Sequence, residues 1–323
     1  FELVENTFVA FLLGDPENQR IYRFEYPGFG TTLGSLESIK DTHGNTHTVT
    51  ISNDLPTQVS DGLGRTLTFN YNGSELTSVS DGTRTVNFLH ADGYLSTVTD
   101  ARASTTTYTY DSGATTGLLA NKTRPEGNTP LAQTFDAEGR VSTQTDSDGN
   151  TTSLSYAENS TTGTDPLAEQ RTLTHDAEGR LTQVVDEESM SVTLSYDGKG
   201  RRTGIVDRLG DGSSIAFDSA SGRVSLITNA DGTQTAITYT AREVDGLTFY
   251  DRTGISHPDG TSETFIYDAS GNLTTYTDRA SNNTVYTYNS RGQALTVTNP
   301  ENGVDTYTYR SDGTLATHTD PAT

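Results

Sequence analysis

The sequence predicts an all-β protein made of repeated β-hairpins, and three observations carry that expectation. One phrase recurs along the chain: "FDAEGRVSTQTDSDGN" at 135–150, "HDAEGRLTQVVDEES" at 175–189 and "YDASGNLTTYTDRASNN" from Tyr267. Self-similarity at a fixed period marks a repeat architecture and outranks local propensity. The polar fraction is mostly Thr, Ser, Asn and Asp at fixed distances from Gly, Tyr, Leu and Val, which is how short strands and tight turns are written. No segment holds a helical period, so helix content is expected to be close to nil.

Taken in order, "FVAFLLG" at 8–14 reads as a strand or a piece of core. It is shorter than the roughly 18 apolar residues of a membrane span and lacks the basic flank of a signal peptide. Residues 1–35 form a run-in, and 36–323 form an array of about 14 units of roughly 21 residues. The chain starts on Phe1 and stops at "TDPAT", where another turn would begin, as expected of a piece of something larger.

The apolar position after each head turn is read at Leu36, Leu55, Leu76, Leu95, Leu119, Val141 and Leu181, then at Arg202, Val224, Leu247, Leu273, Leu295 and Leu315. The double-length step from Val141 to Leu181 contains a degenerate copy around "AENSTTGTDPLAEQ". Within a unit, "DAEGR" is a turn, "LTQVVD" a strand, "DSDGN" or "EESM" a second turn, and "TTSLSY" or "TVYTYN" a second strand. The head glycines Gly139, Gly179, Gly200, Gly271, Gly292 and Gly313 fit a place needing positive φ, beside Asp or Asn that can hydrogen-bond the turn backbone. Tyr110, Tyr196, Tyr267, Tyr288 and Tyr309 close the second strands as register anchors, where aromatic side chains pack well.

Alternation in "NTVYTYN" places Val285 and Thr287 on one face and Tyr286 and Tyr288 on the other, while "GQALTVTN" groups Leu295 with Val297. Neither face is strongly apolar, so the sheet suits a wall with moderately polar surfaces on both sides. At ~4.8 Å per strand the array makes a ribbon roughly 130 Å long and one strand, about 20 Å, high. Closed once, it would be roughly 40 Å across, enough for a cargo with a radius of gyration near ~13 Å. Such a band would be one turn of a longer spiral forming part of a hollow shell or barrel.

Composition sets limits. The chain has 323 residues, 31% of them hydrophobic, and a formal net charge of −22 with a pI near 4.4. That balance alone would favour disorder, and the periodicity argues the other way. An acidic chain without a Lys/Arg cluster interleaved with aromatics argues against nucleic acid. With no cysteine, disulfides and Cys-based zinc sites are excluded and the redox compartment cannot be read.

The heads "YDASGNL", "FDAEGRV" and "HDAEGRL", with "YDSGATTGLLANKTRPEGN", resemble the YD repeats of the RHS family. That family includes bacterial polymorphic-toxin proteins, the C component of insecticidal toxin complexes and animal teneurins. "RIYRFEYPGFGTTLGSLESIKDTHGNTHTV", followed by "VSDGLGRTLTFNY", resembles the run-in that leads bacterial members into their repeats. The resemblance covers about residues 20 to 320. It implies a β-sheet spiralling into a cocoon around a C-terminal toxin or effector polypeptide. Family members often end the shell with a "DPxGL"-type self-cleavage motif. "TDPLAEQ" at 164–170 shares only its Asp-Pro.

Candidate chemistry is sparse. His43 and His47 stand four apart, but "DTHGNTHTV" reads as a turn entering a strand, and His90, His175 and His318 fill repeat positions. "DSDGN" (Asp146, Asp148, Asn150) resembles a calcium loop, yet the twelfth position counted from Asp146 is Ala157, and turn chemistry explains it better. Glu187 and Glu188 could in principle serve glycoside hydrolysis but read as a solvated edge. No nucleophile elbow, phosphate loop or dinucleotide fingerprint sits in a strand-to-helix context. The Tyr rows (Tyr108, Tyr110, Tyr286, Tyr288, Tyr307, Tyr309) could stack carbohydrate if exposed, or form cross-strand ladders if packed.

The expected function is a structural RHS-repeat shell segment that helps enclose a toxin or effector, without enzymatic activity, cofactor or metal. Its partners would be the enclosed polypeptide or the rest of a larger RHS protein, with no nucleic acid and no membrane span. The expected location is secreted or on a bacterial cell surface. The alternative is an extracellular adhesion or surface-fibre module binding a protein or glycan on its outer face.

Overall fold

The structure, a computed structural model, describes residues 2–4, 7–15, 18–25, 34–112 and 117–321. Part of the run-in, 26–33, and the 113–116 part of the stretch that follows Tyr110 lie outside the described residues. Among the described residues there are thirty strands, all assigned to one antiparallel sheet, and no helix. The run-in is itself strand: "FVAFLLG" lies in Thr7–Asp15, which pairs with Arg20–Glu25.

Contacts divide the chain into two compact units, one of Phe1–Thr68 with Ala216–Thr323 and one of Phe69–Ile215. The second is a plain run of hairpins. Leu131–Phe135 pairs with Val141–Thr145, which pairs with Thr151–Tyr156, and so on through Arg202–Val206. The degenerate copy is a full member of that run. Ser160–Thr164 and Gln170–His175 flank a turn at 165–169 in which Ala168 takes the positive φ, 67°, that Gly149 takes one turn earlier. The Asp-Pro of "TDPLAEQ" is therefore the start of an ordinary turn.

A bulge sits at the base of most heads, the degenerate head after Tyr156 being in plain register. Thr134 faces Thr143 but Phe135 faces Val141, so Ser142 is the extra residue; Thr182, Thr203 and Thr274 are skipped in the same way. One extra residue on one strand bends it and re-aims the next side chain. This register corrects one reading. Tyr288 faces Ala294, and Leu295 is the bulge residue, 36% exposed, standing where other units have Ser or Thr. Leu295 is thus not an anchor and does not share a face with Val297.

The first unit holds the one departure from the repeat. Tyr239 faces Arg252, not Leu247, so twelve residues replace the usual five of a head. They extend two strands, Gln234–Val244 and Leu247–Ser256, into an arm closed at Asp245-Gly246, with φ of 51° and 74°. Two consecutive positive φ values are what a two-residue hairpin turn of matching twist requires. Leu247 is the first residue after that tip, paired with Val244.

Little is buried in either unit. Among the described residues the buried apolar side chains are Ala10, Ile21, Phe249 and Phe265, and the buried polar ones Asp186, Asp251 and Asn272. All but Asp186 belong to the first unit. In Asn283–Tyr288 the Tyr side is half-buried and the Asn283, Val285 and Thr287 side exposed. The exposed side carries hydroxyl pairs such as Thr287 with Thr296 (2.7 Å) and Thr308 with Thr317 (2.6 Å).

Candidate functional site

The unit that repeats is a four-part constellation. In one copy Asp136 opens the head: its Oδ1 accepts the backbone N–H groups of Glu138 (3.0 Å) and Arg140 (2.9 Å), and its Oδ2 accepts Arg140 Nε (2.8 Å). Gly139 N–H donates to the Asp136 carbonyl, and Gly139 lies at φ 80°. The Arg140 guanidinium lies 4.5 Å from the centre of the Tyr156 ring, and the Tyr156 hydroxyl donates to the carbonyl of Val141 (2.8 Å). Asp176, Arg180, Leu181 and Tyr196 repeat the arrangement, with the hydroxyl bond at 2.7 Å.

That hydroxyl bond always spans fifteen residues. Tyr110 reaches Leu95, Tyr239 reaches Val224, Tyr288 reaches Leu273 and Tyr309 reaches Ala294. Each tyrosine ties its own hairpin to the carbonyl just past the preceding head. Tyr267 has Arg252 fifteen residues before it, at the base of the arm, and burial pushes its phenol pKa up, as it does for Tyr239 and Tyr288. A phenol tied to backbone and half-buried beside a guanidinium is a register latch, and it does not present the bare ring that a sugar platform needs.

The proposed repeat positions fall as follows. Gly179, Gly200, Gly271, Gly292 and Gly313 lie at φ 74° to 88°. Leu95, Val141, Leu181, Val224 and Leu273 each offer the latched carbonyl. Leu315 faces Tyr309 on the last strand and is 48% exposed. The carboxylates that sequence reasoning assigned to turns in general have one specific task. Asp81 is held at a pKa of about 2 by the backbone N–H of Arg84 first, then that of Thr83, then the Arg84 side chain. Backbone N–H donors likewise hold Asp100 below its usual value, Ser104 first.

In the first unit, residues far apart in sequence meet turn against turn. Thr42 Oγ1 donates to the Ser270 carbonyl (3.1 Å), His43 Nε2 lies 2.5 Å from Asn272 Oδ1, and Asn45 Nδ2 donates to the Arg291 carbonyl (2.9 Å). The arm completes this seam. Arg242 and Asp251, both about nine-tenths buried, form an ion pair (Nε to Oδ2, 2.7 Å), and Arg242 Nη2 also donates to Gln19 Oε1 (2.5 Å). Lys40 pairs with Asp245, and Gly14 lies against Leu247, where an added Cβ would stand 3.2 Å from the leucine Cδ1. Nothing in the 21-residue step announces this; the sign was the lengthened interval between Val224 and Leu273, which the extra leucine at 247 disguised.

The remaining candidates resolve into turns and pairs. His43 belongs to the seam, while His47 lies on an exposed part of Thr46–Ser52. Asp146 Oδ1 is taken by the N–H groups of Asp148 and Asn150, and Oδ2 by the Asn150 side chain. Glu187 pairs with Arg171 and Glu188 approaches Arg208, which also pairs with Asp186. Sequence reasoning missed one cluster: strand pairing brings Asp305 to His318 Nε2 (2.8 Å), with Asp320 at 3.3 Å and Tyr307 stacked on the imidazole. Only the register of Val304–Tyr309 against Leu315–Thr319 makes that triplet visible.

The RHS repeat family model matches residues 175–211, a stretch that contains the heads 176–180 and 197–201 and the turn 207–211. Among curated proteins, none matches the chain in sequence. Several solved structures share its fold. A crystal structure of TcdB2-TccC3-Cdc42 gives a TM-score of 0.61 at 15% identity, over 94% of this chain and 18% of that one. The Photorhabdus luminescens Tc holotoxin pore gives 0.58 at 14% identity, over 94% and 21%. TcdB2-TccC3 gives 0.52 at 16% identity, over 97% and 22%. The chain thus spans about a fifth of the length of these structures. The stretch 175–211 thus carries an RHS repeat. The fold of the described chain is the one seen in the Tc toxin structures.

Proposed function

We propose that this chain is a wall segment of a toxin-complex-type shell that encloses a toxin or effector polypeptide, as part of a larger secreted or cell-surface bacterial protein. The observation that carries the reading is how the sheet is held together. Asp-capped turns and fifteen-residue tyrosine latches fix hairpins to their neighbours, with few buried side chains among the described residues. A protein whose stability is spent along the sheet, and not on an interior, is suited to be a barrier.

The action is mechanical. Continuous ladder hydrogen bonding excludes proteases and solvent components from one side, and no side chain performs chemistry. The fold shared with the Tc toxin structures supports the same reading. The test is limited proteolysis of the native full-length protein. A wall predicts that sequence beyond the repeats resists cleavage until the seam is broken, for example by Asp251→Ala. Immediate digestion of that sequence in the intact protein would contradict an enclosing role.

A further inference from the structure

We infer that the first unit carries a binding cleft for an acidic sugar, a hexuronate, between the turns 41–45 and 61–65 and the side chain of Arg291. The cleft has a volume of about 380 Å³, and its lining includes Arg20, Arg65, Arg291 and His47 together with Asp41 and Asp61. Three arginines against two carboxylates leave the concavity net positive, the reverse of the chain's net charge of −22.

The two carboxylates do not cancel the arginines as ligand donors. Asp61 Oδ1 already accepts the N–H groups of Leu63 and Arg65, and Asp41 Oδ1 those of His43 and Asn45. Each thus serves its own turn, and Asp61 is held at a pKa of about 2: its partial desolvation is outweighed by the Arg65 side chain and the backbone donors. Among the arginines, only Nε of Arg65 is committed to Asp61 (2.5 Å), and only Nη1 of Arg291 to the Ser311 carbonyl (3.1 Å). Arg20 is held in the sheet by its backbone, paired with Asp15 and Asp41, and its side chain makes no hydrogen bond or ion pair among the described residues. Planar guanidinium forks with free N–H groups match a carboxylate in two-point geometry.

Size and the rest of the lining select the class. A cleft of this volume is at the small end of ligand pockets and larger than a bare ion needs. Leu63 gives it one apolar wall, and the His47 ring, the Thr46 hydroxyl and the Asn45 side-chain carbonyl give donors and acceptors for hydroxyls. The second carboxylate oxygens are taken, Asp41 Oδ2 by Asn45 Nδ2 and Asp61 Oδ2 by Arg65 Nε. One carboxylate, several hydroxyls and a patch of C–H surface describe a hexuronate. The cleft does not depend on the shell role, since it is built from two turns, the strand residues Arg20 and His47, and Arg291, all of the first unit.

The test is calorimetric titration of the native full-length protein, in about 0.15 M salt to screen the chain's own charge, with methyl glucuronide, methyl glucoside and sodium sulfate in turn. The inference expects saturable millimolar binding of the glucuronide, weaker by about tenfold for the neutral glucoside, a loss of one charge-assisted pair. Arg20→Gln and Arg291→Gln should each weaken glucuronide binding by about fivefold or more, while Arg102→Gln, an exposed arginine of the other unit, leaves it unchanged. No saturation by the glucuronide, equal binding of the glucoside, sulfate binding as tight as the glucuronide, or insensitivity to both cleft variants would each overturn it.

Discussion

Tyr196 shows how a single residue sets register. Its hydroxyl donates to the Leu181 carbonyl at 2.7 Å while Arg180 lies over its ring. Tyr196→Phe keeps the ring and removes one hydrogen bond, so it should lower stability by about 1 kcal/mol. The readout is the denaturation midpoint, with faster amide exchange confined to the neighbouring hairpins, because repeats couple only to their neighbours. Backbone conformation gives a second pair of expectations. Gly139→Val places a branched side chain at φ 80° and should cost about 1–3 kcal/mol. Ala168 stands at φ 67° without glycine's freedom, so Ala168→Gly should raise the melting temperature, relief of about 1–2 kcal/mol being partly offset by unfolded-chain entropy. Unchanged melting in all three variants would remove the latch and the turn geometry from the account.

At the scale of the element, the Asp-capped turn links composition to pH. Asp81 and Asp61 are held at about 2, and Asp100, Asp146, Asp197 and Asp278 below their usual values by their own turns. A carboxylate whose folded pKa is depressed contributes stability that is present above the unfolded value, about 3.9, and lost as pH falls towards the folded one. Relief of self-repulsion acts oppositely as pH falls from 7 towards the pI near 4.4. The melting temperature should therefore hold or rise down to about pH 4.5 and then fall steeply between about pH 4 and 2. Thermal melts across that range check it, and a melting temperature still rising at pH 2.5 would contradict it. Asn289 caps its head with Oδ1 in the same way that Asp does, so Asp136→Asn should preserve the fold at neutral pH.

What was legible in the sequence follows from how local each device is. The heads, the glycine positions and the one-sheet, helix-free fold could be read because turn chemistry and strand alternation are written within ten residues. Leu295 misled because a bulge shifts the register by one, and a leucine beside an alanine looked like the better anchor. The arm at 240–251 is local but was disguised by the extra leucine at 247, and the Arg20–Arg291 cleft was not legible because it depends on which turns meet across more than 200 residues.

For the molecule as a whole, stability rests on the seam of the first unit as well as on the repeats. Asp251→Ala would leave Arg242 buried without its partner, a loss of about 3–5 kcal/mol, and should release the strands Thr7–Asp15 and Arg20–Glu25 to rapid hydrogen exchange while hairpins of the other unit stay protected. Uniform loss of protection in both units would contradict a local seam. The central claim, that these repeats form the wall of a container, is tested most directly by a single-particle structure of the native full-length protein. The account predicts a continuous antiparallel sheet with polypeptide density enclosed by it. A sheet that encloses only solvent, or an open ribbon with a partner on its exposed face, would contradict it.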